Sequence, residues 1–85
     1  MPRHVKNLCG PIVRKARSRL GLSQEQLAAK GQLMGWDVSR DILAKIEGQS
    51  RWVSDIELVL LAQLLKIDAK ELLSPARKAL RSINQ

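Results

Sequence analysis

The side chains that could carry chemistry in this 85-residue chain are one His, one Cys, fifteen Lys or Arg and eight Asp or Glu. His4 and Cys9 supply too few ligands, at no useful spacing, for a metal site. No nucleophile–base pair and no carboxylate constellation stands out, so the sequence points away from an enzyme and implies no cofactor. What remains is positive charge, a formal +7. Residues 1–20 hold six bases and no acid, residues 21–52 hold four of each, residues 53–73 hold two bases and four acids, and the tail adds Arg77, Lys78 and Arg81. Basic ends around a balanced middle favour a polyanionic partner, nucleic acid or an anionic membrane, and charge alone does not choose between these and simple solubility.

The elements that must position those charges read as helices. With 45% hydrophobic residues but no Phe and no Tyr, Leu, Ile, Val and Ala have to build the core, which suits helices better than strands. The length allows one small domain. The longest mostly apolar run, Ile56 to Leu65, is too short to span a bilayer, and the N-terminus lacks the apolar core of a signal peptide. A soluble cytoplasmic protein is the expectation.

Residues 1–10 read as a basic arm in which His4 has no partner and Cys9 is a small hydrophobe. Pro11 suits the first turn of a helix running to Leu20, with Ile12, Val13, Ala16 and Leu20 on one face and Gly21 as its left-handed stop. Ser23 with Gln26 forms a capping box for a second helix ending at Gly35. Its buried side is Leu27, Ala28, Gly31 and Met34, with Gly31 placed for close approach of another helix. Ser39 caps a third helix to Glu47 that buries Leu43 and Ile46, with Val38 packing just before it and Gly48 as its stop. Ser54 with Glu57 caps a fourth helix to Leu65, and Asp68 opens a fifth that ends before Pro75. Residues 75–85 are a basic tail or a short sixth helix. The main domain is 11–74.

Three stretches, "RSRLGLSQEQLAAK", "VSRDILAKIEG" and "ELVLLAQLLKIDAKELL", together resemble the Cro/repressor-type (XRE-like) helix-turn-helix family. The resemblance runs from about Val13 to Leu73. It implies an all-α, five-helix, lambda-repressor-like DNA-binding domain that acts as a transcriptional regulator, a repressor. The stretch between Ala28 and Val38 is longer than in the common form, so the second helix should extend by about a turn and Gly35-Trp36-Asp37 should form a different corner.

In that family the third helix enters the major groove. The resemblance therefore assigns DNA contacts to Gln24, Ser39, Arg40, Asp41, Lys45, Gln49 and Arg51. Arg40 is the choice for base readout, because a guanidinium can donate two bonds to a guanine edge. Lys45 could reach a base or a phosphate. Asp41 more simply offsets the positive helix N-terminus or orients Arg40. Gln24 would brace the backbone phosphate and the third helix, and Gln49 and Arg51 would meet phosphate. For Arg40, Lys45 and Gln24 the alternative is a solvated surface side chain. Arg17 and Glu47 match an internal ion pair of the family. Trp36 and Trp52 read as covers for edges of the core, with Trp36 alternatively shaping the corner and touching DNA backbone.

On the fourth helix Leu58, Leu61, Ala62 and Leu65 form a core stripe, while Ile56, Val59 and Leu60 lie off it. A second apolar face calls for a cover. A homodimer partner and the tail with Leu80 and Ile83 are equal candidates. The partner set is thus double-stranded DNA and a second copy, with no membrane. Two other readings stay open: an antitoxin that also binds a toxin protein, and a helical protein-interaction module without DNA.

Overall fold

Three serines open three of the five helices in the computed structural model, which describes residues 5–75. The order is α1 (Gly10–Arg19), α2 (Gln24–Leu33), α3 (Arg40–Glu47), α4 (Asp55–Leu65) and α5 (Ala69–Leu72). Ser23 and Ser54 each form a complete capping box, with Gln26 and Glu57 respectively, and the Ser39 hydroxyl accepts the Ile42 N–H at 3.1 Å. Each hydroxyl satisfies a backbone donor that a helix start leaves unpaired. Asp68 caps α5 through the Lys70 N–H at 3.0 Å. The chain segments 1–4 and 76–85 lie outside the described residues, and with them His4, the expected sixth helix, Leu80 and Ile83.

The helix stops divide into two kinds. Gly21 (φ 71°) and Gly35 (φ 92°) take the left-handed conformation at the ends of α1 and α2. At the ends of α3 and α4 the left-handed residues are Gln49 (φ 61°) and Lys66 (φ 57°). Gly48, expected as the stop of α3, sits at φ −81° as its C-cap. The left-handed residue comes one position later, where Gln49 N–H bonds Ile46 O at 3.0 Å and Ser50 N–H bonds Lys45 O at 2.9 Å.

Val13, Leu27, Val38, Leu43, Ile46, Leu61, Leu65 and Leu72 are fully buried at the centre. Complete burial of each such side chain is worth about 1.5–3 kcal/mol. Cys9 is buried among them as a small apolar group. Burial pushes its thiol pKa up, against a smaller downward effect of a backbone hydrogen bond. Leu20 and Met34, expected on buried faces, are exposed. Each lies at the C-cap of its helix, where the chain is already turning away from the face that its spacing assigns. Trp52 is 70% exposed and covers no core edge.

The corner between α2 and α3 is built around Gly31. Trp36 N–H returns to Gly31 O and Gly35 N–H to Gln32 O, both at 3.0 Å, and Val38 N–H then bonds Trp36 O at 2.8 Å. A Cβ on Gly31 would stand 2.6 Å from Val38 Cγ1 and 3.4 Å from Trp36. The close approach at Gly31 thus comes from the corner itself, with Leu64 of α4 next in distance, and less from a neighbouring helix as the sequence suggested. Gln32 fixes the far side by donating to Val38 O at 2.8 Å.

One ion pair joins three helices. Arg17 of α1 donates to both carboxylate oxygens of Glu47 in α3, Nε to Oε2 at 2.7 Å and Nη2 to Oε1 at 3.0 Å. Its Nη1 donates to Leu22 O at 2.7 Å, and Gln24 of α2 adds a bond to Glu47 Oε1 at 3.2 Å. The Arg17 and Glu47 side chains are only 14% and 5% exposed. Losing one partner of such a pair strands the other in a poorly solvated site. Glu47→Gln is therefore expected to cost about 3 kcal/mol, upward of 10 °C in Tm for a domain of this size. Exposed Arg14→Gln should change stability by less than about 0.5 kcal/mol. Thermal melts followed by circular dichroism make the comparison; equal melting of the two variants would refute the structural role of the pair.

Candidate nucleic-acid interface

α3 is held from behind and open in front. Leu43 and Ile46 anchor it in the core, Glu47 ties its last turn to α1 and α2, and Val38 seats the residue before its cap. Arg40, Asp41 and Lys45 are exposed and Ala44 is half-buried on the outer surface. Ser39 is spent on capping, although its exposed hydroxyl retains acceptor capacity.

Arg40 and Asp41 approach only to 4.0 Å, at 59% and 84% side-chain exposure. A surface pair of this kind is worth about 0–1 kcal/mol at most, so it does not fix the guanidinium in place. Asp41 also lies in the first turn of α3, where a carboxylate is favoured by the helix dipole. Arg40 keeps a mobile fork of donors at the leading end of an exposed helix.

Arg40 also forms one wall of an open groove of about 580 Å³. The groove is also lined by Arg14 and Arg17 of α1, by Ser23, Gln24 and Glu25 at the start of α2, and by Ala44, Glu47 and Gly48. Arg17 and Glu47 on the same groove neutralise each other; Arg14, Arg40 and the first turn of α2 favour an anion, with Glu25 as the opposing charge. Gln24 braces α3 through Glu47 and borders this groove at the same time. Arg14 is a cation of the groove that sequence reading passed over. Its signal was present: it lies three positions before Arg17, on the adjoining part of the same helix surface.

The two residues expected to meet phosphate after α3 are turned inward. The Arg51 guanidinium forks onto Glu57, at 3.1 and 3.0 Å, and also donates to Trp52 O at 3.2 Å. The Gln49 amide donates to Asn7 O at 3.1 Å. The Glu57 cap of α4 attracts the guanidinium, which lies only six positions earlier in the chain. Asn7, with no motif to mark it, draws in the glutamine. Trp36 is half-buried at the corner and packed against the core, as the reading of it as cover for a core edge expects, and it lies beside Gln32 and Asp37.

A family model described as helix-turn-helix matches residues 13–72. Among solved structures, the chain is similar to the restriction-modification controller protein C.AhdI from Aeromonas hydrophila. The identity is 36%, the match covers 75% of this chain and 86% of that one, and the TM-score is 0.63. It is also similar to the DNA-binding domain of BldD, with 25% identity, a TM-score of 0.68, and coverage of 85% of this chain and 97% of that one. No curated protein matches the chain.

The Arg51–Glu57 pair makes stability depend on acid. Burial pushes the Glu57 carboxyl up, but the Arg51 fork and the Ser54 amide outweigh it and leave its pKa below the ordinary 4.5. A carboxylate with a depressed folded pKa stabilises fully above its unfolded value, and the contribution disappears as pH falls through the folded value. The stability of the wild type should thus drop below about pH 4.5, and Glu57→Gln should flatten part of that drop. Arg51→Ala should lower Tm at neutral pH by several degrees, the effect of about 1 kcal/mol. Melts at pH 7 and pH 3.5 test both; an unchanged Tm in Arg51→Ala would show that the pair contributes nothing.

Proposed function

The chain belongs to the helix-turn-helix family, and from that footing we propose that it is a sequence-specific regulator of transcription that binds duplex DNA through α3 as a homodimeric repressor. The observation that carries the reading is α3 itself. Its inner face is locked by Leu43, Ile46 and Glu47, while its outer face presents Arg40, Asp41 and Lys45 to solvent. A helix about 10–12 Å across with its side chains fits a major groove about 12 Å wide. The α2 start, with Gln24 and Arg14 beside it, then stands at one phosphate wall. The likeness to a restriction-modification controller and to a DNA-binding domain supports the same reading.

Arg40 is the base-reading residue of this proposal. It is exposed and only loosely paired, and it lies on the first turn of the helix. A bidentate guanine contact discriminates by about 1–3 kcal/mol. Lys45, one turn on, reaches a base or a phosphate, and Asp41 tempers the helix N-terminus.

The homodimer rests on α4. Ile56 and Val59 are 70% and 50% exposed, and Trp52 just before the helix is 70% exposed. Ile56 and Val59 lie three apart on one side of α4, and Leu60 beside them is half-buried. A small domain with an apolar patch of this kind is suited to two-fold self-association. Two-fold symmetry would place two copies of α3 on successive turns of one DNA face and make the site a palindrome.

Three measurements test the proposal. Selection from random duplexes should return a palindrome, and affinity for it should fall by orders of magnitude between low and moderate salt if about six or more phosphates are contacted. Arg40→Ala should lose preference at one position of each half-site and keep nonspecific binding; an unchanged selected sequence in the folded variant would exclude Arg40 as the reader. Ile56→Glu with Val59→Glu should shift the sedimenting species from dimer to monomer, and a wild-type monomer at all concentrations would remove the dimer.

A further inference from the structure

Among the described residues, the stretch from Lys6 into α1 is not a free arm. Asn7 donates both amide hydrogens across the chain, to Ile46 O at 3.0 Å and Arg51 O at 2.9 Å. Its Oδ1 accepts the Gly10 N–H at 2.8 Å. Gln49 answers from the other side, with its side-chain amide on Asn7 O at 3.1 Å and its own carbonyl accepting the Lys6 N–H at 2.8 Å. At Gly10 the strap passes so close to the end of α3 that a Cβ would collide with the Ile46 carbonyl oxygen. Residues 6–10 are therefore strapped to the C-terminal turn of α3 and to the loop that follows.

This placement adds an exposed cation, in addition to Lys45 of the last turn, at that end of α3. The strap and the loop 48–53 contain two, Lys6 and Arg51. Arg51 is neutralised by Glu57. Lys6 is exposed and, among the described residues, has no carboxylate within 4.0 Å. The other polar side chains of the loop are also engaged: the Ser50 hydroxyl bonds Lys45 O at 3.3 Å, and the Gln49 amide is held by Asn7. With the N-terminal residues of α3 on the bases, its C-terminal end and the loop that follows stand beside the phosphate rail, where the strap delivers Lys6.

We infer that Lys6 makes the phosphate contact at the C-terminal end of α3 that the sequence assigned to Arg51, and that Asn7 is the positioning residue that holds it there. This rests on the reading that α3 enters the major groove. Asn7 acts by fixing the backbone of Lys6 against Gln49. An ammonium on a tethered backbone reaches the rail without an ordered side-chain partner.

The test measures binding to a selected duplex and to a random duplex across a salt series, for the wild type, Lys6→Ala and Lys70→Ala. Lys70 lies on α5, which packs on α1 and α4, and serves as the control for net charge. Lys6→Ala should weaken both duplexes by the same factor, roughly fivefold to tenfold for each bound protomer at 0.1 M salt. It should lower the salt slope by about one for each bound protomer, about two for the homodimer, with Tm unchanged. Asn7→Ala should lose the same slope, with a lower Tm, and the double variant should lose no more. Should Asn7→Ala not fold, Asn7→Ser makes the same comparison, since its hydroxyl cannot span both carbonyls. A wild-type slope in Lys6→Ala while the wild type binds DNA would overturn the inference and leave the groove reading intact. An equal shift in Lys70→Ala would overturn it as a net-charge effect. A wild type that binds no duplex would overturn both.

Discussion

The fork of Arg17 on Glu47 is the constraint on which the rest of the structure depends. It joins α1 to the last turn of α3, and Gln24 brings α2 to the same carboxylate. A buried ion pair is not in itself a large source of stability, because both charges give up water to form it. Its effect is geometric. A bidentate guanidinium–carboxylate contact fixes distance and plane together, so α3 cannot slide along its axis or roll on its apolar anchors without breaking it. Leu43 and Ile46 alone would allow either movement, since apolar contact is non-directional.

The other end of α3 is fixed by shape. The absent side chain at Gly31 lets Val38 and Trp36 close over α2, and Gln32 holds the Val38 carbonyl. The longer link between α2 and α3 is thereby a rigid turn with its own hydrogen bonds and its own buried residue. The exposed outer face of α3 is a consequence of this double anchoring: Ser39 and Val38 hold the start, Glu47 and Asn7 hold the end, and among the described residues the outward side chains between them make no ion pair beyond the loose approach of Arg40 to Asp41.

Charge is sorted by the same packing. Among the described residues, the cations that meet buried or half-buried carboxylates are Arg17 and Arg51. Arg14, Arg40, Lys45 and Lys6 remain exposed around α3 and its flanks. A net charge of +7 describes the attraction to a polyanion but not its direction. Lys15, Arg19, Lys30, Lys66 and Lys70 are exposed on other faces as well, so the direction comes from the protruding shape of α3, with Glu47 and Glu57 neutralising the two inner guanidinium groups. The apolar residues at the start of α4 lie off the core stripe of that helix.

Much of this was legible in the chain. Serine followed three positions later by glutamine or glutamate marks a helix start through a local hydrogen bond, so the beginnings of α2 and α4 could be placed from sequence. Helical spacing identified Leu27, Leu43, Ile46, Leu61 and Leu65 as core, because a face of a helix is a local property. Gly21 and Gly35 announced two stops, because a left-handed residue is cheapest as glycine. The sequence could not reveal the stop at Gln49, the strap at Asn7, or the inward turn of Arg51. The Asn7 partners are 39 and 44 positions away, and no periodicity connects residues that far apart. The exposed Leu20, Met34 and Trp52 follow the same logic in reverse, since spacing names a face but only the assembled helices decide whether anything covers it. The sequence determined the helices and the chemistry they could carry; the tertiary contacts, which act between residues with no local relation, decided which side chains were left free to use it.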